Sequence, residues 1–177
     1  MCMADYTSCL FADLEQLGSA SGFVEEIHEV VKTLALFDGF SRQECEILCQ
    51  YMTCYGAPSR TAILREGDRG DFLVIVLTGR INVMKVHDPA TSKMLVEIGP
   101  GGFIGEMSLI DGRHRFASCI SSEPSDFAVL TRDSLNEILV DYPRLGNKLL
   151  LVLLQMMASR LRETTTRMLP TIVGVPA

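Results

Sequence analysis

Residues 72–86 read Phe72-Leu73-Val74-Ile75-Val76-Leu77-Thr78-Gly79-Arg80-Ile81-Asn82-Val83-Met84-Lys85-Val86, two short apolar segments separated by a turn at Gly79. The same texture continues in both directions. Upstream, Ala62–Arg65 runs into the turn-rich Glu66-Gly67-Asp68-Arg69-Gly70-Asp71. Downstream, the second segment stops at His87-Asp88-Pro89, Lys93–Ile98 stops at Gly99-Pro100-Gly101-Gly102, and Phe127–Leu130 closes the series. Strands this short, punctuated this regularly, predict an antiparallel barrel or roll, with glycines supplying positive φ at the turns. The expectation is an α+β fold built on a jelly-roll-like β-roll of roughly eight strands.

Helices flank the roll. Val24, Ile27, Val31 and Leu34 share one stripe with Glu25, Glu26 and Glu29 outside it, which predicts a helix over 23–36 ending at Asp38-Gly39. Ser41-Arg42-Gln43-Glu44 is a capping box, so a second helix starts there and runs to about Tyr51. After the roll, Arg132–Val140 is helical, and Asp141-Tyr142-Pro143 marks a restart, because proline fits the first helical turn. The final helix, Pro143 to Met168, carries two apolar stripes: Leu145, Leu149, Val152 and Met156, and a heptad series of Leu150, Leu154, Met157, Leu161, Thr164 and Met168. One stripe can pack on the roll while the other joins a second copy in a homodimer. The alternative is that one chain buries both. The division expected is a flexible segment 1–22, a ligand-binding unit 23–168 and a tail 169–177.

Composition narrows the function. The chain has 177 residues, 47% hydrophobic and 21% charged, with net charge −6, which suits one globular domain and speaks against a grip on a phosphate backbone. The concentrated basic spot, Arg113-His114-Arg115, is local. The first 20 residues lack the leader pattern of export, and the apolar run Leu149–Ala158 is too short for a bilayer, so the expected setting is cytoplasmic, without a membrane. Six cysteines are then reduced thiols. Cys45, Leu48, Cys49 and Met52 recur at i, i+3, i+4 and i+7, which assigns the cysteines to a helix's inward face rather than to a metal. Motifs of hydrolases, zinc proteases and nucleotide triphosphatases are missing, and no enzymatic activity or cofactor is expected.

The chemistry lies in Phe103-Ile104-Gly105-Glu106-Met107-Ser108-Leu109-Ile110-Asp111-Gly112-Arg113-His114-Arg115-Phe116-Ala117-Ser118. It leaves a strand at a glycine, presents a carboxylate, makes one helical turn, and returns with an arginine before the next strand. First-turn amides of such a helix suit an anion, and an arginine fork suits a phosphate. Glu106, which only accepts, suits a ribose hydroxyl. On physical grounds alone, a simple Glu106–Arg115 ion pair fits the spacing equally well.

Residues 105–118 resemble the phosphate-binding cassette of cyclic nucleotide-binding domains, Gly-Glu-Leu-Ala-Leu, a short spacer, then Arg followed by a small residue and Ala. Gly67-Asp68, Phe72, Gly79 and Arg132-Asp133-Ser134 are similar to the family's flanking sequence, as in kinase A regulatory subunits, and the likeness spans about residues 28–166. It implies that Glu106 holds the ribose 2′-hydroxyl and Arg115 the cyclic phosphate, with Gly105, Met107 and Ser108 in the cassette. Ser159-Arg160-Leu161-Arg162-Glu163-Thr164-Thr165 resembles the dimer helix of bacterial catabolite activators, which implies Thr164 and Thr165 as contacts to the base. As a plain reading, the two threonines end the helix in polar residues.

Two departures stand out. Phe116 sits where the family carries Ala, Ser or Thr, so its ring either turns into the core or fills the phosphate pocket. Nine residues after Met168, with Pro170, Gly174 and Pro176 among them, are too few for the helix-turn-helix that follows this helix in the activators, so no DNA binding is expected by that route. Three readings follow. The leading one is a stand-alone cyclic-nucleotide sensor, favouring cyclic AMP over cyclic GMP and signalling to a separate effector protein. The others are a dimeric scaffold that has lost its ligand and a cyclic dinucleotide binder drawing on Arg113 and His114.

Overall fold

The computed structural model describes residues 11, 14–32, 40–88 and 91–173. In chain order these form β1 (Glu15–Ser19), a 3-10 turn (Ala20–Phe23), α1 (Val24–Lys32), α2 (Arg42–Gln50), β2 (Met52–Ala57), β3 (Ala62–Leu64), β4 (Phe72–Val76), β5 (Ile81–Asp88), β6 (Thr91–Ile98), β7 (Phe103–Ile104), α3 (Glu106–Asp111), β8 (Ser118–Ser121), β9 (Ser125–Thr131), α4 (Arg132–Asp141) and α5 (Pro143–Val173). A five-stranded sheet, ordered β1-β2-β9-β4-β7, faces a four-stranded one, ordered β3-β8-β5-β6. All pairings between neighbours are antiparallel, so the β-roll flanked by helices is the observed fold.

The unbroken hydrophobicity of β4 follows from its two buried faces. Phe72, Val74 and Val76 point between the sheets, where Tyr55, Ile63, Ile81, Ile104, Phe127 and Val129 join them. Leu73, Ile75 and Leu77 point the other way, into a second core with Ile27, Leu48, Leu135, Ile138, Leu149 and Val152 from the helices. Alternation along a strand sends successive side chains to opposite faces, so one strand serves both cores. Each fully buried aliphatic contributes about 1.5–3 kcal/mol relative to exposure.

Local chemistry sets the helix ends. Ser41 Oγ accepts from the Glu44 amide at 3.2 Å, and Glu44 Oε2 accepts from the Ser41 amide at 2.8 Å, so the capping box is formed. The same carboxylate accepts from Lys148 Nζ at 2.6 Å, tying α5 to α2. Burial works against the Glu44 charge, but the Lys148 and Ser41 bonds outweigh it and hold its pKa below the ordinary value. Thr131 caps α4 through a 3.1 Å bond from the Ser134 amide, and α5 restarts at Pro143.

Several boundaries differ from expectation. Glu15–Ser19 lies within the stretch expected to be flexible, yet it is an edge strand paired with β2. Met52 was placed on the helical stripe of Cys45, Leu48 and Cys49; it opens β2 instead, though it joins the same core. Cys45, Cys49, Cys54 and Cys119 are free and buried; for Cys45 and Cys49 this is the inward helix face read from the sequence, while Cys54 lies on β2 and Cys119 on β8. α5 runs on through 169–173, part of the expected tail, while Asp38-Gly39, Leu34, Pro89 and 174–177 lie outside the described residues, as does the Val31 side chain. The stripe Leu145, Leu149 and Val152 is buried, whereas Leu154 is 60% and Leu161 68% exposed, so one chain does not bury both faces of α5.

Candidate ligand-binding site

β7 pairs with β4 and delivers the chain to Gly105, whose φ of 82° turns it into α3. Two glycines make room for one side chain. A Cβ on Gly70 would sit 2.0 Å from Arg115 Nε, and one on Gly105 would sit 2.5 Å from Arg115 Nη1. Arg115 fills that space and is buried. Its Nη1 donates to Gly105 O and its Nη2 to Phe72 O, both at 2.8 Å, and its guanidinium carbon lies 4.3 Å over the Phe72 ring. The backbone locks as well: the Arg115 amide donates to Asp68 O at 2.8 Å, and the Gly67 amide donates back to Arg115 O at 2.9 Å. The Glu66–Asp71 turn is therefore a clamp on the returning limb of the cassette.

Glu106 and Arg115 are not paired directly. Glu106, 2% exposed, accepts from Arg160 Nη1 at 2.5 Å, and Arg160 Nη2 donates to Phe103 O. A buried carboxylate needs such a partner, and here a side chain of α5 supplies it. Arg160 was not singled out in the sequence; the signal was its position one turn before Thr164, on the same helical face. A second connection joins Arg132 at the start of α4 to the cassette, its Nη2 donating to Ser108 O at 2.6 Å.

Gly105, Glu106, Met107, Ser108, Arg115, Phe116 and Thr164 all line one cavity of about 670 Å³ between the cassette, the β5–β6 hairpin and α5. Val83, Leu95, Val96, Leu154 and Leu161 supply apolar wall, and Arg160 stands at the polar end. Thr165 is not part of this lining; its hydroxyl donates to Leu161 O at 2.8 Å within the helix. Phe116 is not turned into the core, and it lines the cavity that Arg115 also lines. Its ring is 55% exposed and outside both cores, and Lys85 Nζ lies 4.3 Å over it while donating to Phe116 O at 2.7 Å. Lys85 is itself held by Glu66 Oε1 at 2.7 Å; that ammonium, then the Val86 amide, keeps the Glu66 carboxyl below its usual range. Burial, reinforced by the Glu106 carboxylate, pushes the Cys119 thiol up to about 12, which leaves it protonated and unreactive at neutral pH. A separate polar hollow of about 480 Å³, lined by Gln16, Gln50, Tyr51, Ser134 and Glu137, contains no cassette residue.

The roll thus buries Arg115 beside a turn of helix, and the buried Glu106 carboxylate lines the same cavity. The chain belongs to the cyclic nucleotide-binding domain family: residues 57–142 match the family model for the cyclic nucleotide-binding domain. It is 47% identical to a cyclic nucleotide-binding domain from Methylobacillus flagellatus, with a TM-score of 0.84 over 92% of this chain and 91% of that one. The cyclic AMP receptor protein of Thermus thermophilus is 32% identical over 75% of this chain and 60% of its own length. The regulatory subunit of cAMP-dependent protein kinase from Yarrowia lipolytica is 26% identical over 70% of this chain and 34% of its own. The chain thus spans about three fifths of the length of the first curated relatives it matches. These relatives are regulatory or binding proteins. Among the described residues, no helix is long and apolar enough to cross a membrane.

Proposed function

We propose that this chain is a cytoplasmic sensor module that binds a cyclic nucleotide in the cavity between the cassette and α5, and passes its occupancy to an effector protein. The observation that carries the reading is the convergence of buried Glu106 and buried Arg115 on one cavity roofed by α5. Arg115, its fork fixed by two carbonyls, is the phosphate partner; Glu106 accepts from the ribose, with Gly105, Met107 and Ser108 beside them and Thr164 toward the base. Thr165 is left a lesser part, since its hydroxyl is spent within α5. Cyclic AMP is favoured over cyclic GMP, in line with the cyclic AMP receptor protein and the cAMP-dependent protein kinase subunit among the relatives. The exposed Leu154 and Leu161 suit a homodimer seam along α5. Free, buried cysteines fit a reducing compartment.

A thermal-shift titration with cyclic AMP, cyclic GMP and cyclic di-GMP tests this. Saturable stabilisation by cyclic AMP is expected. Arg115→Ala removes charge-assisted bonds worth roughly 1.5–3 kcal/mol each and lowers affinity at least about tenfold. Affinity unchanged in that variant would overturn the assignment of Arg115. One observation favours a second reading, a dimeric scaffold without ligand: Arg160 already occupies the Glu106 carboxylate. That reading expects no stabilisation by any of the three, whereas a response to cyclic di-GMP alone would make the cavity a dinucleotide site.

A further inference from the structure

We propose that Phe116 is the wall on which the base of the bound nucleotide stacks, and that it sets a preference for purine over pyrimidine. The inference rests on the cyclic-nucleotide reading and names the part of the pocket that the sugar-phosphate contacts leave open. Among the described phenylalanines, Phe11, Phe72, Phe103 and Phe127 are buried and Phe23 and Phe40 half-buried; Phe116 alone is exposed, and it faces the cavity. A lone exposed apolar side chain is ordinary on a protein surface, but this one lines the cavity beside Arg115 and lies under the Lys85 ammonium.

Its place is fixed from two directions. Lys85 holds the Phe116 carbonyl and lies over the ring, and Glu66 holds Lys85, so the ring is set before any ligand arrives. Phe116 directly follows Arg115, the phosphate partner, and lines the same cavity. A base is joined to the ribose that carries the phosphate, so a ring beside the phosphate partner is within its reach. The neighbouring wall, Val83, Leu95 and Val96, offers apolar surface to the rest of a base. Stacking on an aromatic side chain tolerates different bases, because each has a π-face, but it grows with ring area and so favours two fused rings over one.

The test is calorimetric binding of cyclic AMP and cyclic CMP to wild type, Phe116→Ala, Phe116→Trp and Phe116→Ser, with melting temperature as a check on folding. Wild type is expected to prefer cyclic AMP. Phe116→Ala should lose about tenfold for cyclic AMP and less for cyclic CMP, closing the gap, while Phe116→Trp keeps it. Unchanged or tighter cyclic AMP binding by Phe116→Ala, or equal losses for both nucleotides, overturns the proposal. So does a wild type that binds neither nucleotide while Phe116→Ser binds one: the ring is then a plug, and the cyclic-nucleotide reading survives. Silence from all four proteins sinks that reading and this one together.

Discussion

Of the three arginines that line the cavity, Arg115, Arg160 and Arg167, the first two come from different regions and are held in different ways. Arg115 belongs to the roll: its donors go to backbone carbonyls, its plane rests on Phe72, and two glycines leave room for it. Arg160 belongs to α5 and binds across elements, to the Glu106 carboxylate and the Phe103 carbonyl, with its side chain 37% exposed. The roll side is therefore set by the fold itself, while the helix side is a contact that can be exchanged. A ribose hydroxyl donating to Glu106 competes with Arg160 or shares its acceptor, and either outcome changes what holds α5 on the roll. A ligand shifts such an equilibrium only by its difference in affinity for the two arrangements, and Glu106 is where that difference arises.

The strongest way to break this comparison is to remove the platform under Arg115. Phe72 is fully buried between the sheets, and Phe72→Ala deletes both that packing and the ring beneath the guanidinium. A loss of about 3–5 kcal/mol in urea denaturation is expected. A loss below about 1 kcal/mol would mean that the roll side is no more rigid than the helix side.

On the helix side the effect is smaller and should be rescuable. Arg160→Ala leaves the Glu106 carboxylate buried without the cation, at a cost of about 1–3 kcal/mol. Adding Glu106→Gln to that variant removes the charge and should recover most of the loss, whereas Glu106→Gln alone breaks the pair from its other end. A double-mutant cycle read by urea denaturation measures the coupling. Coupling near zero would show that α5 is held by its apolar face alone.

How much of this was legible in the sequence follows the same division. The roll could be read from its punctuation, because strand length, turn glycines and the Ser41–Glu44 capping box are local properties. The cassette was legible as a motif. Strand β1 was not, because a short edge strand rich in polar residues carries no apolar alternation, and only pairing with β2 defines it. The break at Met52 was hidden because its burial fits a helix face and a strand face equally. Arg160 and Lys85 were invisible for a different reason. Each acts on a residue more than thirty positions away, so neither partner can be read from a single sequence; for Arg160, the position one turn before Thr164 marks the helical face but not Glu106.

The finest probe of the α5 attachment is pH, through the Lys148–Glu44 bond at the other end of the helix's contact with the body. Glu44 has its pKa lowered in the folded state, so it binds a proton less readily there than in the unfolded chain. The sign follows: the carboxylate adds stability above the unfolded value of about 4.3, and that contribution is lost as pH falls through the lower folded value. Glu44→Gln should therefore melt below wild type from neutral pH down to about pH 5, with the gap narrowing as pH falls below about 4.3. The shift is small, because both partners are partly exposed and salt screens them. A gap that persists undiminished at pH 3 would assign the effect of Glu44 to the capping of α2 rather than to its charge on α5. The attachment of α5 would then rest on Arg160 and the buried stripe of Leu145, Leu149 and Val152, and a ligand that displaces Arg160 would leave only the apolar face to hold the helix.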